Sequence, residues 1–107
     1  MDKFLSFISL ARKAGAAHCG SFKALNCARA NKAYLFILAA DASENTKNDA
    51  KNLADYKQIR LIECYTKETL GTIAGRAGTS LIAISDERMA AKILSMYEDG
   101  EKKGDVR

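Results

Sequence analysis

Ala33–Ala40 reads A-Y-L-F-I-L-A-A, eight residues without a charge. A strand half-covered by a core alternates apolar and polar residues; an unbroken apolar run belongs to a strand buried on both faces, as at the centre of a helix-flanked sheet. The run is far too short to cross a bilayer.

Working outward in both directions, the pattern alternates between helix and strand. Downstream, Ser43 is placed to cap a helix that turns Ala50, Leu53 and Ala54 inward. Ile59–Tyr65 predicts a second core strand, and Thr66 caps a helix carrying Leu70, Ile73 and Ala74 up to Gly75. Leu81–Ile84 predicts another buried strand. Ser85 or Asp86 then opens a last helix whose Met89, Ile93, Met96 and Tyr97 stripe is core packing. Upstream, Phe4, Phe7, Ile8 and Ala11 recur at helical spacing and Gly15 ends that helix near Lys13. Ala16–Cys19 predicts a short strand. Gly20-Ser21 caps a helix with Phe22, Leu25 and Ala28 on its apolar face, closed by Asn31, a residue that tolerates positive φ. The fold class is therefore α/β, a three-layer α/β/α sandwich around a mixed sheet of about four strands. A chain of 107 residues suits one domain, expected over residues 1–98, with 99–107 as a charged flexible tail.

Charge is distributed unevenly. From Lys3 to Ala40 there is no acidic residue. Residues 1–34 hold six bases (Lys3, Arg12, Lys13, Lys23, Arg29, Lys32) against Asp2, net +5, whereas residues 35–107 hold eleven bases and twelve acids, net −1. A concentrated basic field on a small protein is a footprint for a polyanion, most often nucleic acid; a solvated face that aids solubility is the alternative. Cys19, Cys27 and Cys64 are odd in number and lack metal-ligand spacing, so they read as reduced thiols packed inside, with neither a disulfide scaffold nor a metal site. His18 is the sole histidine and has no sequence-visible catalytic partner.

The candidate ligand-binding residues fall in three places. Gly20-Ser21 opens a helix inside the acid-free region, where first-turn N–H groups favour anions; Lys23 projects from that turn, and Asn26 follows on the same side. Asparagine offers both donor and acceptor and suits a base edge. The plainer reading makes Ser21 a cap, Lys23 a solvated cation and Asn26 a surface residue. Asp41, after the central run, and the glycine-flanked segment Arg76-Ala77-Gly78-Thr79 precede or follow strands and are placed to meet at one sheet edge. Arg29 and Lys32 extend the basic rim. No carboxylate pair or nucleophile–base set points to an enzyme, and no cofactor is implied.

Four segments then carry a resemblance: K-A-G at 13–15, Gly20, F-I-L-A-A-D-A-S-E-N-T at 36–46 and K-E-T-L-G-T-I-A-G at 67–75. Their order and spacing resemble the YlxQ-like proteins, bacterial relatives of the kink-turn-binding ribosomal proteins (the L-seven-Ae superfamily), over about Phe4 to Tyr97. The resemblance implies an α/β/α sandwich that binds RNA at a kink-turn in a ribosomal or ribosome-associated setting. In that family the RNA-reading helix starts with glycine, has polar or acidic residues two and three positions on, and a lysine six positions on. Here Gly20 is kept, while those positions hold Phe22, Lys23 and Asn26; Asn31, Tyr34 and Ala40 also depart from the family's glycine, lysine and glutamate. Phe22 either stacks on an unpaired base or packs in the core, the usual place for a lone phenylalanine.

Together these readings predict a non-catalytic, cytoplasmic RNA-binding protein with ribosomal RNA or another structured RNA, and possible ribosomal proteins, as partners and no membrane. The other reading is a protein-interaction module on the same fold that has lost kink-turn recognition.

Overall fold

The computed structural model describes residues 3–104, with side chains as far as Asp99. Among these described residues nine elements follow one another: α1 (Lys3–Lys13), β1 (Ala17–Cys19), α2 (Ser21–Arg29), β2 (Leu35–Leu38), α3 (Glu44–Lys57), β3 (Arg60–Glu63), α4 (Lys67–Ala74), β4 (Leu81–Ile84) and α5 (Glu87–Gly104). The four strands form one mixed sheet in the order β1-β4-β2-β3. β4 runs antiparallel to both β1 and β2, and β2 runs parallel to β3. Helices α2 and α3 pack together on one face, and α1 packs against α4 and α5 on the other.

The continuous apolar run decides this layering. β2 and β4 are the inner strands, and every residue of both is buried. Leu35, Phe36, Ile37 and Leu38 pair with Ile84, Ala83, Ile82 and Leu81, so the two apolar strings lie side by side between the helix layers. The expectation of a second core strand at Ile59–Tyr65 needs correction. β3 spans only Arg60–Glu63 and is an edge strand, with Ile62 alone fully buried. Its Arg60 and Glu63 face water and join surface ion pairs with Glu98 and with Lys47 and Lys51.

Local chemistry fixes the helix ends. Ser43 Oγ accepts the Thr46 N–H at 3.2 Å, Thr66 Oγ1 accepts the Thr69 N–H at 3.2 Å, and Asp86 Oδ1 accepts the Met89 N–H at 2.9 Å. At the end of α2, Asn31 adopts φ 61°, and two backbone bonds close the turn, Lys32 N–H to Cys27 O at 3.0 Å and Asn31 N–H to Ala28 O at 2.9 Å. At the start of α2 the cap is Gly20, not Ser21: Gly20 sits at φ 104°, ψ 148°, and no side chain caps the helix. The tail expected over 99–107 is helical as far as Gly104, since an apolar stripe nucleates α5 and Glu and Lys propagate it readily; 105–107 lie outside the described residues.

Candidate functional site

Strand directions bring the three candidate segments together. Cys19 at the end of β1 pairs with Ile82, and Leu38 at the end of β2 pairs with Leu81, the first residue of β4. The chain leaving β1, the chain leaving β2 and the chain entering β4 therefore meet at one edge of the sheet. Backbone bonds tie them: Gly20 N–H to Leu81 O at 2.8 Å, Ala39 N–H to Ser80 O at 2.8 Å, and Ala40 N–H to Tyr65 O at 2.8 Å. Asp41 Oδ1 accepts the Lys67 N–H at 2.8 Å, so this carboxylate links the β2–α3 loop to the start of α4.

Arginines cover the glycines at this edge. A Cβ built on Gly20 would meet Arg76 Nη1 at 3.4 Å, and one on Gly75 would meet Arg12 Nη2 at 2.9 Å. The two guanidinium groups flank a groove of about 580 Å³ whose walls also include His18, Cys19 and Lys23. Cys19 reports the local field. Burial pushes its thiol pKa up, and Arg12, Lys23 and Arg76 each pull it back down. Three cations from α1, α2 and the α4–β4 loop thus converge on one spot. Among the described residues, none of the three forms an ion pair with a carboxylate; the ion pairs lie instead on α3, β3 and α5. A second hollow, about 620 Å³, adjoins it along α4 between Asp41, Lys67, Gly75 and Gly78.

Helix α2 presents two faces. Ala24, Leu25, Cys27 and Ala28 are buried. Phe22, expected on the apolar face, is 79 % exposed instead. At 100° per residue it lies opposite Ala24, in register with Asn26 and Arg29 on the outer side. Burial here is done by small residues, because α2 packs closely on β4, β1 and α3. Arg29 Nη1 donates to Asn26 Oδ1 at 3.3 Å, which pins the amide.

Not every expected residue reaches the site. Thr79 is buried, its hydroxyl donating to Arg76 O at 3.3 Å, so it shapes the loop from beneath. Ala77 and Gly78 are exposed on that loop, and Ser21 is half-buried beside Gly20. Lys32 follows the C-terminal turn of α2, at the opposite end of the helix from Gly20, and does not line the groove. The sequence shows Arg12 as one base of the acid-free stretch; the structure adds that Arg12, resting over Gly75, completes the cluster.

One pair deserves a chemical test. His18 Nε2 lies 2.9 Å from Ser85 Oγ, across the β1–β4 pairing. The Ser85 hydroxyl also lies 3.3 Å from the Ala16 carbonyl oxygen, to which it can donate. The contact ties β1 to the residue that follows β4. Among the described residues, no group of His, Cys, Asp and Glu is arranged to hold a metal ion, and no helix is long and apolar enough to cross a membrane.

The arrangement has relatives. The chain is 28 % identical over 97 residues to the RNA-binding protein YlxQ of Enterococcus faecium, covering 91 % of this chain and 93 % of that protein. Its fold is similar to that of a protein of unknown function from Bacillus halodurans C, with TM-score 0.85 and 22 % identity over 92 % of this chain and 99 % of that one. It is also similar to the 15.5 kD RNA binding protein of Giardia lamblia, with TM-score 0.72 and 22 % identity over 89 % of this chain and 84 % of that one. Residues 2–94 match the Ribosomal protein L7Ae/L30e/S12e/Gadd45 family, and with its mixed four-stranded sheet and five helices the chain belongs to that family.

Proposed function

We propose that this chain is a non-catalytic RNA-binding protein that recognises structured, kink-turn-like RNA in a ribosomal or ribosome-associated, cytoplasmic setting, with residues 1–98 acting as one binding unit. One observation carries the reading: Arg12, Lys23 and Arg76 gather beside the first turn of α2, and none of them is ion-paired with a carboxylate among the described residues. A cluster of cations without ion-pair partners beside a helix start that no side chain caps is suited to bridging phosphates, and phosphate contacts supply much of the affinity of such proteins. Family membership supports the same conclusion.

The test is a gel-shift titration with kink-turn and ribosomal RNA fragments at low and raised salt. Lys23→Glu is expected to weaken binding several-fold or more, because it both removes a cation and adds repulsion. Absence of binding to any of these RNAs at low salt would remove the function. The replaced positions Phe22, Lys23 and Asn26 favour a second reading, a protein-interaction module without kink-turn recognition; a protein partner retained after nuclease treatment, with no RNA affinity, would establish it.

A further inference from the structure

We propose that Phe22 is a stacking plate for an unpaired nucleobase of the bound RNA, and that Asn26 reads the edge of that same base. The inference rests on the RNA-binding reading and specifies what the RNA must contain.

Phe22 is 79 % exposed, although α2 buries four smaller side chains beneath it. Its ring makes no aromatic contact among the described residues; the ring pairs involve Phe4, Tyr65 and Tyr97. It neighbours Lys23, a wall of the cationic groove. An apolar plate beside a phosphate-binding groove is the combination that holds single-stranded or extruded nucleotides, the backbone held by charge and the base by its π-face.

Asn26 stands one turn further along, about 5–6 Å away between Cβ atoms. Its orientation is fixed by chemistry. A guanidinium only donates, so the Arg29 Nη1 contact at 3.3 Å requires the amide oxygen on the Arg29 side. The amide Nδ2 is left as the free donor on this exposed helix face. A base lying on Phe22 thus meets a hydrogen-bond donor at its rim, which favours bases presenting acceptors such as guanine O6 or N7. Arg29 acts through Asn26 and is a positioning residue.

The experiment measures affinity for a kink-turn RNA and for the same RNA with each unpaired bulge nucleotide made abasic in turn. Phe22→Ala and Phe22→Leu should each weaken binding to the intact RNA roughly tenfold or more, whereas Phe22→Tyr should bind like the parent protein. At one abasic position the Phe22→Ala penalty should vanish, because the base it stacked on is gone. The dependence of affinity on salt should be unchanged in Phe22→Ala and shallower in Lys23→Glu. Unchanged thermal melting of the variants excludes a folding defect. The proposal is overturned if Phe22→Ala and Phe22→Leu bind within twofold of the parent, or if the penalty persists at every abasic position. In either case a several-fold loss in Lys23→Glu leaves the RNA-binding reading standing; no binding by the parent protein overturns both.

Discussion

A Cβ on Gly71 would lie 2.5 Å from the Arg76 carbonyl oxygen and 3.0 Å from the Gly78 nitrogen, both backbone atoms that cannot swing aside. The α4–β4 loop rests directly on the bare helix backbone, and the Arg76 N–H donates back to Gly71 O at 3.0 Å. Gly71→Ala should therefore destabilise the fold by about 1–3 kcal/mol, the usual cost of overpacking. Denaturant titration checks the stability. The sequence displayed Gly71 within K-E-T-L-G-T-I-A-G but not its partner, since the contact links positions whose proximity depends on the loop's path. Phe22 was misplaced for a related reason. Periodicity identifies a face of a nine-residue helix only loosely, and small residues at 24, 27 and 28 outcompeted a large ring for close packing on the sheet.

At the level of elements, side-chain caps were legible for α3 to α5, whereas the bare Gly20 cap of α2 and the position of each strand in the sheet were not. Ser43 and Thr66 cap α3 and α4 as their spacing implies, and of Ser85 and Asp86 it is Asp86 that caps α5, because an N-cap depends on residues within one turn. Thr66→Ala should cost about 1 kcal/mol, visible as a lower melting temperature. Asp41→Ala removes the acceptor for the Lys67 N–H and should lower stability by about 1–3 kcal/mol, with α4 losing amide protection in hydrogen exchange. β3, by contrast, has enough apolar residues to look central. Which strand lies inside depends on pairing order, a non-local property that no window of the chain contains. The same limit hid the meeting of Arg12 with Gly75, sixty-three positions apart in sequence.

For the molecule as a whole, the cations of α1, α2 and the α4–β4 loop form one field. With three phosphate contacts, log affinity should fall against log salt with a slope of about −2 to −3, and Arg76→Glu should make it shallower by about one. Alkaline stability follows from the buried thiols. Burial pushes Cys19 and Cys27 above the ordinary value of 9.0, so folding favours their protonated form. Their contribution is intact below 9.0 and is lost as the pH rises through the elevated folded values, because the unfolded chain releases its protons first. Urea midpoints between pH 8 and pH 10 should fall less steeply in a Cys19→Ala/Cys27→Ala variant.

The rims of the sheet bear on how copies of the chain meet one another. β1 offers only three residues of backbone, and β3 is fringed by Arg60, Glu63, Lys47 and Lys51. Truncation on one side and a charged hem on the other deny a neighbouring copy the long bare strand that edge-to-edge fusion demands. Neither rim therefore gives a second copy of the chain an extended ladder of unpaired backbone groups to join.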